Sequence, residues 1–145
     1  LVLALDGVND PGNLGTILRV ADWFGIDRVL LGDGSVDVYN PKCVQASMGA
    51  VLRVATSEVD LPGSIKRLGK DGAAIYRAEM RGADVFTMGL QHPAVLVLGS
   101  ESHGISPEVL AAGGTSITIP GAGRSESLNV AMAASVLCAE FFRRG

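Results

Sequence analysis

The chain has 145 residues, 48% of them apolar and 19% charged, with a formal charge of −3. That length fits one compact domain; the composition excludes a disordered or collagen-like chain, and the charge excludes a domain that grips nucleic acid by bulk positive charge, though not a local basic site. Glycine is over-used, at 19 residues, about nine more than average usage of ~7% would give, and a surplus without repeats points to tight turns and to backbone brought close to a ligand.

The first element is a continuous apolar run, Leu1–Leu5, with the pattern of a strand. No initiator methionine precedes it, so the chain reads as a domain from a longer protein. A helical pattern over Asn13–Phe24 leads to a strand at Arg28–Leu31 and a polar loop, Gly32–Asn40. Next come a helix at Pro41–Gly49 with Asn40 as candidate N-cap, a strand at Val51–Ala55, a helix at Gly63–Gly69 and a strand at Ala73–Ala78. The rest alternates: strand Ala94–Leu98, helix Ser106–Ala112 with Ser106 as candidate N-cap, strand Thr115–Ile119, helix Ser127–Arg143. Pro41 and Pro107 suit first-turn positions. Strands that are apolar throughout are covered on both faces, and strand–helix alternation of this kind predicts an α/β domain with a mostly parallel sheet flanked by helices.

Leu128, Val130, Met132, Ala134, Val136, Leu137, Phe141 and Phe142 spread apolar surface around nearly the whole last helix. A helix apolar all round is buried all round, either against a partner subunit or as a central helix inside the monomer. Its most apolar stretch, Val130–Ala139, is too short to span a bilayer, and no signal peptide is visible. Cys43 and Cys138 lie far apart with no CxxC. With only His92 and His103 beside them, no zinc site of familiar spacing forms, and no metal is expected. Both thiols read as small core residues in a reducing cytoplasm.

Ligands in open α/β sheets bind at the carboxyl ends of strands. Three strand ends here carry polar, glycine-rich segments: Asp6–Gly15 followed by a helix bearing Arg19, Gly99–Ser106, and Pro120–Asn129. Asn13 and Asn129 each offer a donor and an acceptor, and Arg19, one turn beyond Gly15, is placed to point back over the first loop as a cation for phosphate. Other readings stay open at this point. Arg19 could pair with a surface acid, Glu101 could cap a helix, and Ser127 or Asn129 could cap the last one. No GxGxxG, P-loop or GxSxG pattern is present.

The segments resemble the three motifs of the SpoU (TrmH-like) family of RNA ribose methyltransferases, in the SPOUT superfamily, over almost the whole chain and in order. Asn13–Asp22 is similar to the first motif and Leu98–Ile105 to the second. Ile117–Pro120 with Ser127–Ala131 is similar to the third. Asn40–Lys42 with Ala46–Ala50 is also familiar from the family.

The resemblance implies an α/β fold with a C-terminal trefoil knot, which general topology rules would reject. It implies that the knot makes an S-adenosylmethionine pocket and, with the C-terminal helix, a homodimer interface. Leu98, Gly99, Ile119, Gly121 and Leu128 are implied as cofactor-binding, and Asn13, Arg19, Glu101, Ser127 and Asn129 as the reaction site. The family casts Arg19 as the base. Because a guanidinium stays protonated in proteins, Arg19 is expected instead to stabilise phosphate and alkoxide. Ser127 and Asn129 would orient Arg19 or the ribose, and Glu101 would accept from Asn13 or Arg19.

The expected reaction is methylation of a ribose 2′-hydroxyl, on ribosomal RNA first, with transfer RNA or a non-catalytic RNA-binding paralogue as the alternatives. His103 departs from the small residue usual in the family. Arg124 is either substrate-facing or solvated. Family members usually carry an N-terminal RNA-recognition domain, expected to be absent from 1–145. RNA affinity in this chain would then rest locally on Arg19, Arg124 and either Lys42 or Arg53.

Overall fold

The computed structural model describes residues 1–145. Six strands form one parallel sheet: β1 (Val2–Asp6), β2 (Arg28–Leu31), β3 (Ala55–Glu58), β4 (Ala74–Asp84), β5 (Ala94–Gly99) and β6 (Thr115–Thr118), in the order β3-β2-β1-β5-β4-β6. Five helices connect them: α1 (Pro11–Trp23), α2 (Pro41–Ser47), α3 (Leu61–Lys70), α4 (Pro107–Ala111) and α5 (Val130–Arg144).

Side-chain alternation along each strand divides the core in two. Leu3, Leu5, Leu96 and Leu98 face one layer with Leu14, Ile17, Leu18, Leu137 and Phe141 from α1 and α5. Ala4, Val95 and Val97 face the other, with Leu61, Ile65 and Val109 from α3 and α4. Both faces are covered, which is why the central strands are apolar without interruption. Asn40 and Ser106 cap α2 and α4, accepting from the Lys42 and Val109 N–H groups.

The strand expected at Val51–Ala55 lies further along, at Ala55–Glu58. Met48 (φ +50°) and Gly49 (φ +86°) turn the chain left-handed after α2. Ala50–Leu52 then forms a single 3-10 turn that leaves Leu52 84% exposed. β3 itself is a polar edge strand. β4 is longer than the expected Ala73–Ala78, because its pairing with β6 breaks after Ala78 and resumes at Ala83.

The last helix starts at Val130, with Asn129 rather than Ser127 as its N-cap. Within the single chain it is not buried all round, so it is not a central helix of the monomer. Ala131, Ala134, Leu137, Cys138 and Phe141 are buried, whereas Met132 and Phe142 are 61% and 68% exposed. α5 runs alongside α1 in the same direction: Asn129 meets Asn13 at their starts, and the Phe24 and Phe142 rings lie 5.6 Å apart at their ends. Both cysteines are buried and unpaired.

Candidate functional site

β1 and β5 are neighbours in register, with Asp6 opposite Gly99. From β1 the chain crosses to β2 on one side of the sheet; from β5 it crosses over β4 to β6 on the other. The loops leaving these two strands therefore diverge and open a crevice at the carboxyl ends. The buried Asp6 carboxylate accepts the Ser106 N–H at 2.6 Å and fixes the second loop to the end of β1. Composition gave no sign of this role for Asp6; its position as the last residue of a buried strand was the available signal.

The second loop is a tight knuckle. Ser100 and Gly104 exchange backbone hydrogen bonds of 3.1 and 2.9 Å, and the His103 N–H donates to Ser100 Oγ. A Cβ on Gly99 would lie 2.3 Å from the Gly104 carbonyl carbon, so only glycine allows the closure. Glu101, Ser102 and His103 project from the knuckle, with the Ser102 hydroxyl 3.0 Å from His103 Nδ1.

Glu101 Oε1 accepts the Val130 N–H at 3.1 Å, in the first turn of α5. Of the two readings of Glu101, the helix-capping one holds, and acceptance from Asn13 or Arg19 is corrected: the free N–H of a helix N-terminus favours a carboxylate. Asn129 Oδ1 accepts from Ala131 and Met132, while its Nδ2 donates to Asn13 Oδ1 at 2.9 Å. Asn13 is itself placed by Asp10, the N-cap of α1, which accepts from Gly12 and Asn13. The three loops are thus tied together by Asn13, Glu101 and Asn129.

Arg19 is not brought to this cluster within the single chain. Six residues beyond Asn13 amount to roughly 240° of net rotation and about 9 Å of rise along a helix. Arg19 is consequently exposed on another face of α1, without an ion pair or a hydrogen-bond partner. The placement of Arg19 over the first loop is corrected accordingly. Gly15, at the end of the first glycine-rich segment, admits α2: a Cβ there would lie 2.4 Å from the Cys43 carbonyl oxygen.

Between the knuckle and the segment after β6 lies a cleft of about 970 Å³, at the upper end of the roughly 300–1,000 Å³ usual for small-molecule sites. Leu98, Gly99, Ile119, Gly121, Ser127 and Leu128 all line it, as do Ile117 and Leu137. Glu79, Glu101 and Glu126 are among its walls, and no lysine or arginine is. Glu79 sits where β4 leaves its pairing with β6, a position the shorter strand expected there did not include. The segment Pro120–Leu128, most of which lines the cleft though Arg124 does not, is exposed and makes no backbone–backbone hydrogen bond.

An apolar floor of Leu98, Ile117 and Leu137, with the Glu101 and Glu126 carboxylates on the walls and no lysine or arginine side chain among the lining residues, suits an adenosyl ligand with a positive sulfonium better than a phosphate-bearing dinucleotide; the third carboxylate, Glu79, is paired with Arg77. A smaller recess of about 170 Å³ adjoins it, lined by Asp10, Asn13, Ser100 and Glu101 among others.

A sequence profile described as the SpoU rRNA Methylase family matches residues 1–139. The chain is 35% identical over 137 residues to the 23S rRNA (guanosine(2553)-2'-O)-methyltransferase RlmP of Bacillus subtilis, covering 94% of this chain and 55% of that protein. A solved structure from Porphyromonas gingivalis, assigned to the TrmH family of RNA methyltransferases, superposes with a TM-score of 0.93. It is 50% identical and covers 99% of this chain and 59% of that one. AviRb, a SpoU methyltransferase of Streptomyces viridochromogenes solved in complex with AdoMet, superposes with a TM-score of 0.89 at 30% identity, over 99% of this chain and 57% of that one. The chain therefore spans less than two thirds of the length of these relatives. No helix is long and apolar enough to cross a membrane.

Proposed function

Because the chain belongs to the SpoU rRNA methylase family, we propose that it methylates a ribose 2′-hydroxyl of RNA, ribosomal RNA in the first place, with S-adenosylmethionine as donor. The observation that carries this reading is the cleft: an apolar floor with Glu101 and Glu126 on its walls and no lysine or arginine side chain among its lining residues, beside the cluster of Asn13, Glu101 and Asn129. Leu98, Gly99, Ile119, Gly121 and Leu128 hold the cofactor there. When bound, S-adenosylmethionine supplies a methyl group already activated on its sulfonium.

The protein's own task is alignment and proton handling. Fixing the hydroxyl in line lowers the barrier by up to ~7–11 kcal/mol. Asn13 and Asn129 are locked to each other and to two helix starts, so they present amide edges to a ribose with little motion left to lose. Ser127 lies on the cleft wall within the same segment. The hydroxyl proton leaves to water, with the developing alkoxide stabilised by Arg19.

Arg19 reaches a cleft only in an assembly. The outward face of α5 presents Met132, Val136, Ala139 and Phe142, and α1 beside it ends on Trp23, 83% exposed. A second copy packed on that face completes a homodimer and brings Arg19 of one protomer toward the site of its partner. The C-terminal knot of the family and a cytoplasmic location form part of this reading.

The test is transfer of labelled methyl from S-adenosylmethionine to unmodified 23S ribosomal RNA, followed by alkaline digestion. Label in alkali-resistant dinucleotides supports a 2′-O-methyltransferase. Label accepted only by transfer RNA replaces the substrate. Tight cofactor binding with no transfer to either RNA identifies a non-catalytic paralogue.

A further inference from the structure

Of the chain's twelve lysines and arginines, four are paired with carboxylates, while Arg19 and Arg124 are exposed without an ion pair. Arg53 grips both Asp22 oxygens, which removes it from the pair of local RNA contacts considered above. Arg143 and Arg144 are both held by Glu140. Arg77 pairs with Glu79 and donates to the Leu110 carbonyl.

Lys42 differs from the paired arginines. It is exposed and has no ion pair, and its side chain lies over the start of α1. A Cβ built on Gly12 would stand 3.5 Å from Lys42 Cε and 3.1 Å from Asp10 Oδ1. Gly12 immediately precedes Asn13, whose side chain accepts the Asn129 amide. The Asp10 carboxylate alongside is already engaged by the Gly12 and Asn13 N–H groups.

The placement of Lys42 is built into the packing. Asn40 caps α2 by accepting the Lys42 N–H at 3.0 Å. The bare Cα of Gly15 lets α2 press onto α1 at Cys43. The end of the Lys42 side chain is thereby held beside Gly12, in the turn between Asp10 and Asn13, two residues that line the small recess.

In RNA the 2′-hydroxyl and the 3′-phosphate sit on adjacent ribose carbons. A ribose presented for methylation at this recess brings a phosphodiester beside it, while the cofactor cleft offers no cation. We infer that Lys42 binds the phosphodiester adjoining the target ribose and so positions the substrate, an assignment that rests on the proposed 2′-O-methylation. A flexible ammonium suits this duty, because it follows a phosphate without demanding planar, bidentate geometry.

The experiment compares the protein with Lys42→Gln, Lys42→Arg and, as a control on the other face of the sheet, Lys70→Gln. Binding to an unmodified 23S ribosomal RNA transcript is titrated across a salt series, and methyl transfer, cofactor affinity and melting temperature are measured in parallel. Lys42→Gln is expected to flatten the slope of log K against log salt by roughly 0.7–0.9, the signature of one lost phosphate contact. It should raise KM for RNA while leaving kcat, cofactor affinity and melting temperature near their original values. Lys42→Arg should restore the slope, and Lys70→Gln should leave it unchanged.

An unchanged slope and KM in Lys42→Gln, or an equal effect from Lys70→Gln, overturns the assignment even where methyl transfer is robust. Conversely, a protein that transfers no methyl yet shows the Lys42-dependent slope keeps the phosphate contact and loses the enzymatic reading.

Discussion

The Asn129 amide nitrogen donates to Asn13 Oδ1 at 2.9 Å while its own oxygen caps α5 through the Ala131 and Met132 N–H groups. One side chain thus starts a helix and ties it to another. The two duties separate by substitution. Asn129→Ser keeps a good cap but is too short to reach Asn13, so thermal stability should stay close to that of the parent while methyl transfer falls by an order of magnitude or more. Asn129→Ala loses the cap as well and should cost about 1 kcal/mol in urea titration. Equal activity in the parent and in Asn129→Ser would show that the link between the asparagines is dispensable.

Glu101 gives a second such separation. Its carboxylate accepts the half-buried Val130 N–H. Glu101→Ala leaves that donor unsatisfied and should cost about 1–3 kcal/mol. Glu101→Gln retains an oxygen acceptor and gives up mainly the attraction of a negative charge to the helix start, about 0.3–1 kcal/mol. Denaturant midpoints of the two variants, measured together, check the order.

Pro120–Leu128 walls the cleft without any backbone–backbone hydrogen bond. Amides of this kind exchange rapidly because nothing has to open first. Adding S-adenosylmethionine is expected to slow hydrogen exchange across this segment and at Gly99–Gly104, and to leave α3 unaffected. Protection confined to α1, with none in Pro120–Leu128, would place the cofactor elsewhere.

Arg19 lies on an exposed face of α1, away from the Asn13 side chain on the same helix. If each site takes Arg19 from the partner, Arg19→Ala and Glu101→Ala are each inactive alone but regain activity when mixed and reassociated. Val136→Glu, on the outward face of α5, should yield a monomer by light scattering, with cofactor binding weakened less than catalysis. A mixture as inactive as its components would mean that Arg19 serves its own chain or none.

The buried thiols predict an alkaline limit. Burial pushes Cys138 up to about 12 and raises Cys43, to which Asp37 adds, whereas an unfolded thiol titrates near 8.5. Above that pH the unfolded chain releases protons that the folded chain retains, so the unfolded state binds fewer and stability falls as pH rises. The Cys138 contribution is complete below about pH 8.5 and is lost progressively toward pH 12. Urea midpoints at pH 7.5 and 10 should differ by on the order of 1–2 kcal/mol more in the parent than in Cys138→Ala. Neither thiol should react with a disulfide reagent at pH 7.5 until the protein unfolds.

Much of this arrangement was legible in the residues. β1 and β5 are buried on both faces and therefore unbroken in Leu and Val, and Asn40 and Ser106 announce their helices by the local chemistry of capping. The polar loops at the ends of β1, β5 and β6 marked the site because a parallel sheet brings its carboxyl ends together. β3 was displaced because an edge strand needs little apolar surface, and the apolar run before it folds into a 3-10 turn set by two left-handed residues. The direction of Arg19 depends on its phase around α1, and although helix capping was open to Glu101, which helix it caps depends on tertiary docking that spacing along the chain does not record.

The bond between Asn13 and Asn129 joins residues 116 positions apart, and Ser106 reaches Asp6 across 100. Closing loops of that length is slow, because chain entropy must be overcome before the contact forms. β1 and α1 precede β5 and α5 in the chain, so Asp6 and Asn13 have no partners at the site until the later elements have been made and docked. Competence for chemistry is therefore acquired late in folding. A fragment that ends before α5 lacks the Asn129 and Val130 partners of Asn13 and Glu101, so the cluster cannot be assembled in it.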